Sequence, residues 1–275
     1  PRVVCLADGR LAAITNRVAG QPGGGRGRTE QSNWLQFSDD EGHTWTDRQP
    51  TPVEGIVPDR LVELTGGRWV LAAHTSQEAD GEPCWQVRCW LSDDAGARWR
   101  GPVTIAADPG LQLCEPSVFE VPGGALVCLL RENSRRGLDA FKCVSRDGGE
   151  SWTAPVPFPL PGCHRPVAGV LASGHVLVTY RFLPGGRRGW AWRTQNMFAA
   201  WTDVEACLAE QRADAGVRIL PLEYDRHPEA DTGYTGWVQL DDGEVYVVNY
   251  LLDDAAKAWI RGYALRESDI IIGPA

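Results

Sequence analysis

Residues 38–45 read SDDEGHTW, residues 92–99 read SDDAGARW and residues 145–152 read SRDGGESW. Four types hold the same places each time: Ser38, Asp40, Gly42, Trp45; Ser92, Asp94, Gly96, Trp99; Ser145, Asp147, Gly149, Trp152. The octets begin 54 and 53 residues apart. Fixed positions recurring at a near-constant period mark a repeat architecture. Each octet suits a hairpin turn. Its Asp can accept hydrogen bonds from turn amides, its Gly takes a positive φ, and its Trp packs the turn onto the sheet. One or two carboxylates per loop are too few ligands for calcium, so no metal is expected.

Between the octets runs a second, looser repeat. Gly9, Gly67, Gly124, Gly174 and Gly243 are followed by RLAAITN, RWVLAAH, ALVCLLR, HVLVTYR and EVYVVNY. Each reads as a buried strand of about seven residues, rich in β-branched and aromatic types. One unit is then hairpin A–B, strand C, the Asp turn and strand D. Such four-stranded antiparallel units, repeated, predict an all-β propeller. Five repeats are countable, and together they span 1–275 as a single domain. The fourth unit lacks the octet. VEACLAEQRADAG (204–216) stands there and reads as a short helix or ordered loop. In the fifth, KAWIRGYAL can be strand C, and no clear strand D follows.

Composition agrees with a folded β-rich chain. Apolar residues are 43%, charged residues 23%, Gly 31, Trp 12 and Met 1. No apolar run reaches the roughly 18 residues of a membrane span. A net charge of −9 argues against nucleic acid as a partner. None of the eight cysteines forms a CxxC pair, so zinc spacing is absent. Several sit in strand-like runs, which reads as buried free thiols, although the even number leaves disulfides open. The chain opens on Pro1 without a signal-peptide pattern, and the thiols favour a cytoplasmic over a secreted setting. The sequence carries no signal for oligomeric state. GGGRGR (23–28) lacks the ending of a phosphate loop, so no nucleotide cofactor is expected, nor any other.

With these repeats in hand, the chain resembles the sialidase (neuraminidase) superfamily of Asp-box, or BNR-repeat, propellers. CEPSVFEVPGGALVCLLREN (114–133) looks like the segment carrying that family's catalytic Glu and an Arg of its carboxylate-binding triad. TGYTGWVQLDDGEVYVVNY (232–250) looks like the segment of the nucleophilic Tyr. The resemblance implies Glu115, Arg131 and Tyr234 in those roles. Those sialidases have six blades, which keeps a six-bladed propeller as the alternative. The loop matching their acid/base Asp, RVAGQPGGGRGRTEQSN (17–33), offers only Glu30.

The repeat also places residues without the family. Strand A begins near Pro1, Pro58, Pro116, Pro166 and Thr235, and strand B ends about seven residues after its turn glycine. These ends lie side by side in a hairpin and gather at one end of a propeller. Two rings result. One reads Val57, Glu115, Arg165, Tyr234. The other reads Asn16 with Arg17, His74, Arg131, Arg181, Tyr250.

Arg131, Arg165 and Arg181 suit a carboxylate, which guanidinium grips through two parallel hydrogen bonds. Tyr234 is the expected nucleophile, with Glu115 taking its proton. A neutral Tyr suits an anionic sugar that a carboxylate nucleophile would repel. Glu30, Asp59 and Asp231 are candidate acids, with Asp59, Asp231 and Arg17 also candidate substrate contacts. His74 and His164 are further acid, base or contact candidates. The expected activity is a retaining glycoside hydrolase on an acidic or decorated carbohydrate. The alternatives are a polysaccharide lyase acting on uronates and a carbohydrate-binding propeller without catalysis.

Overall fold

The computed structural model describes residues 2–19, 30–79, 82–134, 136–184 and 193–270. Its strands form five antiparallel sheets, each in simple sequence order. The first holds β1 (Arg2–Cys5), β2 (Leu11–Ala19), β3 (Glu30–Ser38) and β4 (Gln49–Pro50). The second holds β5 (Val62–Glu63), β6 (Trp69–Ala79), β7 (Glu82–Ser92) and β8 (Arg100–Ala106). The third holds β9 (Leu113–Glu120), β10 (Leu126–Glu132), β11 (Asp139–Ser145) and β12 (Val156–Pro161). The fourth holds β13 (Cys163–Val170), β14 (Val176–Phe182), β15 (Asn196–Thr202) and β16 (Val217–Tyr224). The fifth holds β17 (Gly236–Gln239), β18 (Val245–Leu251) and β19 (Trp259–Leu265), three strands among the described residues. The architecture is thus an all-β, five-bladed propeller, and every B strand read from the sequence is present.

The chain divides into two compact units, 1–128 with 143–154 and 129–142 with 155–275. In the first, Ala12, Ile14, Leu35 and Phe37 pack against Leu61, Trp69, Leu71 and Trp90. In the second, Leu177, Met197, Ala199 and Trp201 pack against Val245, Val247 and Leu265. EVYVVNY, expected to be buried throughout, buries only alternate residues. Val245, Val247 and Leu251 face the core, while Tyr246 and Val248 are 43% and 41% exposed. Period-2 alternation with one covered face accounts for this.

The octets are the turns between the third and fourth strands of the first three sheets. Ser38 Oγ donates to Asp40 Oδ1 and accepts the Gly42 amide, at 2.8 and 2.9 Å. Asp40 in turn accepts the amide and hydroxyl of Thr44 at 2.8 and 2.6 Å. Asp147 takes the same two donors from Ser151 at 2.9 and 2.5 Å. At Asp94, Arg98 supplies its amide and Nε, both at 2.8 Å. The Thr44 and Ser151 hydroxyls, with the amides behind them, hold Asp40 and Asp147 down to about 2. Gly149 is needed for space as well as for its φ of +94°, since a Cβ there would stand 3.0 Å from Leu91 Cδ2.

In the fourth sheet the octet's place is filled by α1 (Val204–Leu208). Asp203 caps it by accepting the Ala206 amide at 2.6 Å. Buried Lys142 donates to the Ala206 and Cys207 carbonyls, both at 2.8 Å, and so fastens this helix to β11. All eight cysteines are free thiols, six of them buried.

Candidate active site

In the first unit, Glu115 precedes Pro116 and has φ +48°; Val57 precedes Pro58 and has φ +51°. In the second unit, Arg165 precedes Pro166 with φ +52°. Proline disfavours the right-handed helical region for the residue before it. The left-handed region that these three adopt is sparsely populated for side chains other than glycine. The same backbone therefore recurs at the start of strand A in three sheets. It also shortens the regular ladder. β5 keeps two residues, preceded by the single bridge Ile56↔His74. Between β13 and β14 the register shifts from His164 to Val167, a bulge that leaves Arg165 and Pro166 out of the ladder.

In the first unit Glu115 is held by its backbone. Its amide donates to His74 Nδ1 at 3.3 Å. An Nδ1 that accepts assigns the ring proton of neutral His74 to Nε2. The His74 ring stacks on Trp85, centroids 5.9 Å apart at 13°. Asp59 is buried, and its carboxylate accepts the Val118 amide at 2.6 Å, three residues beyond Glu115. Its own amide donates to Ala72 O at 2.9 Å. Asn33, which sequence reasoning passed over, donates to Val53 O and Gly55 O at 2.7 and 3.0 Å and accepts from Asn16 at 3.1 Å. Gly55 admits no Cβ, which would fall 2.4 Å from His74 O. Arg17 and Glu30 are positions on β2 and β3, and GGGRGR lies outside the described residues.

In the second unit two arginines meet one tyrosine. The Arg181 guanidinium carbon is 4.9 Å from the Tyr234 ring centroid and that of Arg165 is 5.8 Å away. Arg181 Nη2 also points at the Tyr234 hydroxyl, a long 3.5 Å. Both arginines are buried, while Tyr234 is 40% exposed. Gln195 Oε1 joins the group by accepting Arg181 Nη1 at 3.3 Å and the Thr232 amide at 3.2 Å. The Thr232 hydroxyl and the Gly233 amide both donate to Tyr250 O, at 2.9 and 3.0 Å. The loop before Tyr234 is thereby tied to the end of β18.

The Tyr250 hydroxyl donates to Asp231 Oδ1 at 3.0 Å. Burial and the Asp231 charge push the Tyr250 phenol up to about 12, so it stays a proton donor at ordinary pH. Arg131, also buried, donates to Asn133 Oδ1 at 2.5 Å at the end of β10. Buried His164 is the Cα partner of Arg181.

Of the sequence candidates, Arg165 and Arg181 thus both stand over Tyr234 within the second unit, and Asp231 is bonded to Tyr250. In the first, His74 and Asp59 each accept a backbone amide of β9, from Glu115 and Val118 respectively. Gln195 and Thr232 were missed. Among the described residues, no three His, Cys, Asp or Glu side chains gather as a metal site requires.

The chain belongs to the BNR repeat-like domain family, whose model matches residues 3–247. Among curated proteins, none matches it in sequence. Similar solved structures share the propeller. A Dyadobacter fermentans protein of unknown function has TM-score 0.76 at 22% identity, over 96% of this chain and 75% of its own. A Hadza microbial sialidase has TM-score 0.66 at 20% identity, over 96% of this chain and 51% of its own. A Penicillium chrysogenum α-L-arabinanase, complexed with arabinobiose, has TM-score 0.58 at 16% identity, over 94% and 79%. The chain thus spans about half the length of that sialidase. At these identities the likeness is one of fold.

Proposed function

We propose that the chain is a retaining glycoside hydrolase for a sugar that carries a carboxylate, with a sialic acid as the first substrate to test. The observation that carries this reading is the setting of Tyr234, exposed and flanked by the buried guanidiniums of Arg165 and Arg181. Burial lowers the local dielectric and strengthens the grip of such cations on an anion. Arg131 completes the proposed carboxylate clamp.

Chemistry follows the tyrosine variant of retaining glycosidases. Tyr234 Oη bonds to the anomeric carbon as the bond to the leaving oxygen breaks. Asp231, exposed and held by Tyr250, supplies the proton to that oxygen from its acid form. Asp59 is a weaker choice for this task, because the Val118 amide occupies its buried carboxylate. Glu115, carried by the first unit, is proposed from its repeat register to take the phenolic proton. Water then displaces Tyr234 from the sugar, giving its proton to Asp231 while Glu115 returns its proton to the phenolic oxygen.

Release of 4-methylumbelliferone from its sialoside tests the activity. Tyr234→Phe is expected to lower turnover by roughly a thousandfold. A Tyr234→Phe variant with full activity overturns the assignment. Ultraviolet absorbance growing from a uronate polymer replaces it with a lyase, and sugar binding without turnover with a carbohydrate-binding propeller.

A further inference from the structure

The loop that delivers Asp231 and Tyr234 has no regular secondary structure over its ten residues, 225–234. One side chain ties its first seven residues to the chain leaving β18. Asp225 follows directly on β16 and is buried. Its Oδ1 accepts the His227 amide at 3.0 Å and the Asp253 amide at 2.8 Å. Its Oδ2 accepts the Asp231 and Leu252 amides, both at 3.1 Å. All four acceptor sites of the carboxylate are filled by backbone donors. Two belong to the loop and two to the chain leaving β18.

The join is reciprocal. Asp253 gives its amide to Asp225, and its own carboxylate accepts Arg226 Nε and Nη2 at 2.6 and 2.7 Å. Asp253 is 1% exposed, has φ +49° and accepts Arg261 Nη2 at 3.1 Å. Residues 225–226 and 252–253 thus lock one another. Tyr250, whose hydroxyl holds Asp231, lies just before this lock on the same strand.

We infer that Asp225 is a positioning residue that preforms the loop, setting Asp231 against Tyr250 and fixing where Tyr234 emerges. A charged acceptor serving four amides holds the loop without occupying the site. This rests on the proposed roles of Asp231 and Tyr234, while the loop-forming part stands on geometry alone. An enzyme gains from such a frame because small misplacements of reacting groups cost large factors in rate.

The experiment pairs hydrogen–deuterium exchange with kinetics on the 4-methylumbelliferyl sialoside. In the wild type, the His227, Asp231, Leu252 and Asp253 amides should be protected together. Exchange there at the rate of an unstructured peptide overturns the inference. In Asp225→Asn, one side-chain oxygen becomes an N–H₂ that faces two amide donors. These four amides should exchange at least about tenfold faster while β14 amides keep their rates. Turnover should fall by about tenfold or more with KM within about threefold, the split expected when positioning rather than binding is lost. Asp225→Glu keeps the charge and serves if the Asn variant does not fold; its loop should exchange faster as well. Unchanged loop exchange in a folded variant overturns the inference. Faster exchange with unaltered turnover overturns the positioning role. A wild type that turns over no sialoside sinks the substrate reading, and the exchange arm still decides the frame.

Discussion

The Tyr250 hydroxyl sits 3.0 Å from Asp231 Oδ1 and donates to it. This bond joins the end of β18 to the loop that precedes Tyr234. A hydrogen bond to a charged acceptor is worth about 1.5–3 kcal/mol. Tyr250→Phe is therefore expected to lower turnover of an aryl sialoside by roughly ten- to a hundredfold. Far-ultraviolet circular dichroism should be unchanged, since the lost atom lies outside the sheet ladder.

Arginine at 165 and 181 cannot be exchanged for lysine at low cost. Lysine keeps the charge and loses both the planar fork and the stacking face over Tyr234. Arg181→Lys is expected to raise KM for a carboxylate-bearing glycoside by about tenfold or more. Affinity for the same glycoside with its carboxylate reduced to an alcohol should change much less. Parallel kinetics on the two substrates check this.

Thiol reactivity should follow burial. Cys5 is exposed and Cys84 half-buried, so an aromatic disulfide reagent should label at most these two in the native chain and all eight in denaturant. Burial pushes the Cys89, Cys143 and Cys207 thiols up to about 12. In the unfolded chain a thiol ionises near about 8.5. The folded form then binds more protons above that pH. Its stability is full below about 8.5 and is lost as pH rises toward about 12. Urea midpoints measured from pH 7 to 10 should fall, and Cys143→Ala should fall less steeply.

The octets give the opposite limb. Asp40 and Asp147 are held down to about 2 in the folded chain, against about 3.9 when unfolded. Their contribution is present above about pH 4 and disappears as pH falls toward 2. Thermal midpoints between pH 5 and 2.5 should drop, and Asp147→Asn should flatten part of that drop.

Much of the fold is legible because the repeat writes it several times. The octets and five B strands are redundant signals, and Trp45, Trp99 and Trp152 fall where period alone puts them. The start of strand A is less legible. Pro58, Pro116 and Pro166 announce a special backbone, yet that Val57, Glu115 and Arg165 turn left-handed depends on the hairpin partner. The frame around Tyr234 is least legible. Asp225, Gln195 and Thr232 act through backbone amides brought close only by folding, and no repeat copies them. The helix at 204–208 shows the converse: Asp203 is an ordinary capping signal, and its substitution for an octet follows from position between β15 and β16.

Val57, Glu115 and Arg165 share one left-handed backbone, φ 48–52°, while differing in every chemical property of their side chains. The conformation therefore belongs to the socket and not to its occupant. Even a β-branched valine is accepted. A propeller with such sockets can exchange an apolar group, an acid and a base at equivalent points by single replacements, leaving each blade's ladder intact. For protein engineering, positions 57, 115 and 165 offer one recurring backbone on which side chains of unlike chemistry are already carried.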